Sequence, residues 1–570
     1  MKYFVSTLIL ILTQLNAIFG QRDFKEIIPS ESIFVGVLKG ESFDKKLKFE
    51  KIDEYSFIET FIKRIEILTV SELSFLKAFV LNFDKNGINP VPKSYVYAEK
   101  YDGEIFLNFI ININDYTKFK AGIDNYSDNP ESLIVLKNKY FNLIKNNSSI
   151  SWQKEFFIYT TSLSKKTNLE DRETYESRNN ILLNNYSDYL CSGNFETKIS
   201  ELEQYNNWEN HVRVAGIWVD YSKIIKQSIP NMLQNEDYRV QQALNLISSF
   251  TGEIYLGSEV TFEEGIILSE SRVYCSEQLI KLYEKATRRK ANKNFFNYID
   301  PKNYGFYNIM YLSPEGVYEG YKNMIIEGIG ANLPIFKDLF GILEIFIDEK
   351  SAFNFIKGDF FVALNNVKSV TKTDIDYIFN PQTEEYESVE KNIIIQNPMI
   401  ALGFSFGKKK DIMKFIRIFS KLGFLKEDKK NLYQVSATGS SNKFYLRLDR
   451  RMLILSNDQD RIVRNKKYPA ANRAMLKDLN HDFYTFNMDI NNLIKIGEII
   501  APSENSNFKK LISNIDQNLK KVIYHAYKTK KFDKFLKQDL IFEIKNKDKN
   551  PLQLIFDSLN EIYLSNQKGM

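Results

Sequence analysis

Three histidines, His211, His481 and His525, are all this chain offers for imidazole chemistry, and they stand 270 and 44 residues apart. A zinc protease needs two histidines one helical turn apart beside a glutamate, because all must meet one ion. No such helix can be drawn here. His481–Asp482 adjoins the start of an apolar alternation, where a hydrogen-bonded structural histidine is the plainer reading than a catalytic base. No G-x-S-x-G elbow, Walker loop or G-x-G-x-x-G after a strand is present.

Three weaker patterns carry some chemical sense. Ser42–Phe43–Asp44–Lys45 matches S-x-x-K, in which a lysine one turn away takes the serine proton, and Ser127–Asp128–Asn129 follows in the right order. The closing K-T-G strand is missing, and S-x-x-K recurs at Ser162–Lys165, Ser369–Lys372 and Ser440–Lys443. Asn82–Phe83–Asp84–Lys85–Asn86–Gly87 opens like a calcium loop, but the position of the bidentate acid holds Lys93 and prolines 90 and 92 intervene, so a turn is expected. Lys520, Lys521, Lys528, Lys530, Lys531, Lys534 and Lys537 interleave with Tyr524, Tyr527, Phe532 and Phe535. That pattern could stack on nucleic acid, but an amphipathic helix with a solvated lysine face accounts for it. The carboxylates are too scattered to single out a glycosidase pair. No catalytic, cofactor-binding or metal-ligating residue is therefore assigned.

The elements that would position any site are clearer. Over 570 residues the chain is 44% apolar, 26% charged and 14% aromatic, a globular composition that excludes wholesale disorder. A net charge of +5 is small for this length and gives no indication of a nucleic-acid partner. Lys2, an apolar run from Phe4 to Leu12, and small Ala17 and Gly20 have the layout of a secretory signal over residues 1–20. Beyond it no apolar stretch is long enough for a transmembrane helix. Export would place Cys191 and Cys275 in an oxidising compartment, where one bridge or two buried thiols are both open.

One pattern recurs along the chain. Residues Met399 to Phe406 alternate as a strand, Ile412, Phe415, Ile416, Phe419 and Leu422 recur at helical spacing before a capping Gly423, and Phe444–Leu448 and Met452–Leu455 form a hairpin across Asp449–Arg451. The same strand-to-helix switch occurs at Asp115, Asp220, Ser313–Pro314, Asp489 and Asn550–Pro551, each junction offering a side chain to the free N–H groups of a first helical turn. Asp102–Gly103 and Glu264–Gly265 read as hairpin turns. The fold expected is α+β, with antiparallel sheets carrying helices on one face, built from recurring strand–helix–hairpin units. Halves of 21–290 and 291–570 are expected to meet near the basic stretch Thr287–Asn294.

Ile27–Ile28–Pro29 leading into Ser32–Val37, Gly358–Asp359–Phe360 opening the strand to Leu364, and Asn550–Pro551–Leu552 opening the last helix resemble the DUF4836 group of uncharacterised exported Bacteroidota proteins. The resemblance implies an exported protein of the cell envelope. Many of that group look like lipoproteins, and the anchoring cysteine is absent here. No activity comes with the resemblance. The expectation is a non-enzymatic envelope protein, periplasmic, outer-membrane-associated or extracellular, that binds or scaffolds another envelope protein. An exported hydrolase without a readable motif, or a carrier of a hydrophobic ligand, is the alternative.

Overall fold

The computed structural model describes residues 24–47, 55–56, 85–89, 92–126, 134–145, 148–163, 172–225, 252–323, 355–382, 384–436, 443–464, 473–500, 515, 517–529 and 533–567. The expected signal segment, Ser127–Asn129, Asn82–Asp84, Lys165, Ser440, Lys530 and Lys531 lie outside them. The chain is α+β, as its alternating and helical patterns require, and it clusters into two compact units.

The first unit is built on β1 (Phe34–Leu38), β2 (Ile88–Asn89), β3 (Ser94–Tyr101), β4 (Glu104–Ile113), β5 (Ile134–Lys137), β6 (Tyr140–Lys145), β7 (Ser148–Trp152), β8 (Phe156–Ser162), β9 (Ala215–Asp220), β10 (Tyr255–Glu263) and β11 (Ile266–Tyr274). Every described pairing is antiparallel, in the order β11-β10-β9-β1-β3-β4-β8-β7-β6-β5, with β2 against the end of β4. Helix α1 (Tyr116–Tyr126) follows β4, and α2 (Arg172–Ser192) and α3 (Glu203–Glu209) lie between β8 and β9. Asp102 and Gly103 both take positive φ in the tight β3–β4 turn, which the Asp–Gly pair permits at small steric cost. Asp115 and Asp220 accept from the N–H groups of Lys118 and Lys223, at 3.0 and 3.1 Å, as the junction residues should.

The second unit repeats that order strand for strand. Its elements are α4 (Glu277–Thr287), β12 (Phe306–Tyr311), α5 (Pro314–Asn323), β13 (Asp359–Asn380), β14 (Glu385–Ser405), α6 (Lys409–Lys421), β15 (Leu425–Lys429), β16 (Leu432–Val435), β17 (Phe444–Asp449), β18 (Met452–Ser456), α7 (Arg473–His481), β19 (Asp482–Asp489), α8 (Ile490–Ile500), β20 (Leu519–Tyr527) and β21 (Phe535–Ile544). The pairing runs β21-β20-β19-β12-β13-β14-β18-β17-β16-β15. Substituting β12 for β1, β13 for β3 and so on to β21 for β11 reproduces the first unit. Such agreement over ten strands is internal duplication of the fold.

One expectation changes. The lysine-rich stretch after Leu519 is not a helix but the β20–β21 hairpin, because Val522, Ile523 and Tyr524 favour a pleated surface over a helical one. Among the described residues, those up to 237, 252–275 and 546 onward cluster as one unit and those of 276–545 as the other. Ser276 caps α4 by accepting from the N–H of Leu279. Helix α4 then lies against α5, where Gly316 and Gly320 leave room for the Lys285 backbone and the Leu282 side chain. The C-terminal helix α9 (Pro551–Gln567) belongs to the first unit, its Leu552 and Phe556 buried with Phe34, Val96, Phe109 and Phe157. The helix that ends each half is thus counted with the other unit. Cys191 and Cys275 are both free thiols, each pushed up to about 11 by burial.

Candidate interaction surface

The repeat itself shows where the second unit departs from what the fold needs. In the first unit β3 pairs with β1 as far as Ala98, runs to Tyr101, and turns back at once. Its counterpart β13 pairs with β12 only over Asp359–Leu364, yet continues to Asn380. Strand β14 returns from Glu385 and rejoins its neighbour β18 only at Ala401–Ser405. Between Val367/Pro398 and Asn380/Glu385 the two strands pair with each other alone among the described residues, making a two-stranded arm. A bulge between Leu364 and Val367 marks its root, and Lys368 ties the root down through Asp458 at 2.7 Å and Asp460 at 3.2 Å.

The arm's side chains are those of a surface meant to be covered. One face carries Ile375, Tyr377, Phe379 and Tyr386, with Tyr377 65% and Tyr386 68% exposed and the Phe379 and Tyr386 rings 5.3 Å apart edge to face. Ile378 and Val389 are exposed on the other face, and Ile394 lies further down the first. An isolated two-stranded hairpin is marginal in water, and a large exposed apolar patch on a folded protein marks an interaction site. Between Thr373 and Glu390 the sequence has Asp374, Asp376, Glu384, Glu385, Glu387 and Glu390, and no Lys or Arg.

A second departure follows directly. Helix α6 buries Ile412 and Ile416 but leaves Phe415, Ile418 and Leu422 exposed, with Phe424 beside them. Sequence periodicity had placed Phe415 and Leu422 on the core stripe; only the stripe's centre is buried. Gly423 ends the helix at φ +80°, with the Phe424 N–H donating to the Phe419 carbonyl and the Gly423 N–H to that of Ser420, the paired bonds of a Schellman cap. That cap fixes Phe424 against Phe419, ring centroids 5.9 Å apart. The equivalent helix α1 buries Phe119 and Ile123 and has no large apolar residue among the exposed ones.

The histidine and the buried glutamates that sequence chemistry would look to lie elsewhere, among structural partners. Asp482 pairs not with adjacent His481 but with His525 across the β19–β20 ladder, Oδ2 to Nδ1 at 2.6 Å, and also accepts from Thr485 at 2.9 Å. Glu99, buried in the first unit, accepts from Tyr186 at 2.9 Å and Tyr189 at 3.0 Å, and burial raises its carboxyl to about 7. Glu209, also buried, receives Tyr95 at 2.8 Å, Lys93 at 3.1 Å and Lys25 at 3.3 Å. Lys93 is therefore part of an ion-pair network. Ser42 sits in the short helix Gly40–Asp44 with Lys45 at its end. Ser369 bonds Gln396 across the arm, and Gly87 turns at φ +62° against the Asp115 carbonyl.

A cleft of about 340 Å³ in the second unit is lined by Tyr283, Phe483, Tyr484, Tyr524, Tyr527 and Lys537, among others. No carboxylate lines it, and no group of three His, Cys, Asp or Glu able to hold a metal occurs among the described residues. No helix among them is long and apolar enough to cross a membrane. Compared with family models, curated proteins and solved structures, the chain matches none.

Proposed function

We infer that this is a non-enzymatic exported protein of the cell envelope whose work is binding, and that the β13–β14 arm is the part that binds. The arm carries the reading: it is an extension that the first copy of the fold omits, and it displays aromatic side chains on strands that need covering. The signal-like layout of residues 1–20 and the resemblance to the DUF4836 group support the envelope setting. A hydrolase is the weaker reading, because the carboxylates with raised pKa, Glu99, Glu259 and Asp359, are engaged by Tyr186 and Tyr189, by Arg272 and by Ser405 and lie outside the cleft.

A photo-crosslinking residue placed at Tyr377 or Tyr386 in native cells tests the assignment. Discrete adducts are expected from both positions and none from Ile181, which is equally exposed on α2 of the first unit. Adducts from all three alike, or a turnover by purified protein that one cleft substitution abolishes, would contradict it. The aromatic cleft favours a second reading, small-ligand carriage, since its volume lies in the range of ligand sites. Tyr484→Ala should then release an apolar ligand that copurifies with the wild-type chain.

A further inference from the structure

Resting on that reading of the arm, we propose that its partner is a second copy of this chain: the acidic, aromatic arm of one copy lies on the basic, apolar face of α6 of another. Charge favours this pairing. From Lys408 to Lys430 the sequence has nine Lys or Arg and three Asp or Glu, and Lys408, Lys409, Lys410, Lys414, Arg417 and Lys421 are all exposed. They border Phe415, Ile418, Leu422 and Phe424, of which Leu422 is 63% exposed. The arm offers the reverse, apolar rings among carboxylates. Opposite fields steer two such surfaces together, and burial of the rings holds them.

The repeat adds a second argument. Both surfaces are departures from the first unit, and they occur together: where β3 and β4 turn tightly, α1 exposes no large apolar residue, and where β13 and β14 extend, α6 and its cap expose Phe415, Ile418 and Leu422. Reach supplies the third. At about 3.3 Å per residue, an extended strand sets Glu390 about 50 Å from Ser405, where β14 hands over to α6. The arm's acidic half therefore leads away from the helix of its own chain and meets the complementary face on another. Because the two surfaces differ, the contact is heterologous. Each copy still presents one of each, so association either propagates or closes when two copies exchange arms.

Analytical ultracentrifugation of the purified full chain tests this. Concentration-dependent association is expected, at least about tenfold weaker in 0.5 M salt than in 0.05 M. Lys414→Glu/Arg417→Glu/Lys421→Glu should abolish it, as should Glu384→Lys/Glu385→Lys/Glu390→Lys. Mixing the two variants should restore a complex between them, a rescue that misfolding would not give. A chain that is monomeric at tens of micromolar in both salts, or variants that associate as wild type does, overturns the proposal. If that happens while the Tyr377 crosslinker still forms discrete adducts in cells, the arm remains the binding surface and only the second copy is wrong. With neither association nor adducts, both readings fall.

Discussion

Glu99 is where a single residue most clearly ties pH to stability. Its folded carboxyl titrates near 7 against an ordinary value of 4.5, so between those values the folded state holds a proton that the unfolded state has released. Stability from this group is therefore full below about pH 4.5 and is lost as pH rises to 7, on the order of 3 kcal/mol at most. Asp359, raised from 3.8 to about 6 by burial, acts in the same direction. Glu99→Gln should raise the melting temperature at pH 8 and flatten its decline between pH 4.5 and 7; an unchanged slope would mean that the Tyr186 and Tyr189 hydroxyls stabilise the anion fully. Packing gives a second residue-scale prediction. The Trp208 indole lies against Gly257 and Gly216, within a cluster of Tyr205, Trp218, Tyr255 and Tyr274. A methyl at 257 would overlap the indole, so Gly257→Ala should cost about 1–3 kcal/mol by overpacking, read as a lower midpoint in denaturant. None of these partnerships is visible in sequence: Glu209 lies more than a hundred residues from Lys25, Lys93 and Tyr95, and only the folded chain brings them together.

Elements divide by whether their signals are local. Asp102–Gly103, Ser313–Pro314, Asp489 and Gly423 announce turns and caps through the chemistry of one or two side chains, and each is where its residue type predicts. Strand β15 was hidden because Lys426, Glu427, Asp428 and Lys429 leave only Leu425 buried, so no apolar alternation marks it. The arm carries a weaker signal: Thr371, Thr373, Ile375, Tyr377 and Phe379 alternate toward Asn380–Pro381, but apolar residues on both faces blur the period, and nothing local says whether another strand supports the ribbon. Since the first unit makes the same hairpin with two residues, replacing residues 369–396 by an Asp–Gly turn should leave the circular dichroism and the melting temperature within a few degrees of wild type. A collapse of the fold would show that the arm is part of the core rather than an addition to it.

At the scale of the whole molecule, the duplication means that each ten-strand order is a complete solution to burying its core, yet each unit takes its last helix from the other half of the chain. Halves cut at the sequence boundary should therefore not fold independently. Removing residues 546–570 withdraws Leu552 and Phe556 from the first unit's core, about 1.5–3 kcal/mol for each side chain. Limited proteolysis of that truncation should open the first unit while β12–β21 stay protected; equal resistance of both would contradict the shared helix. The central claim concerns the arm, and hydrogen exchange along residues 369–396 of the full-length protein tests it most directly. In dilute protein the arm's amides should exchange orders of magnitude faster than those of β13 between Asp359 and Leu364, because among the described residues no neighbouring strand supports them. At concentrations where copies associate, the same amides should slow. An arm already protected in dilute protein, or one that stays fast when the protein is fully associated, would contradict its role as the surface that binds.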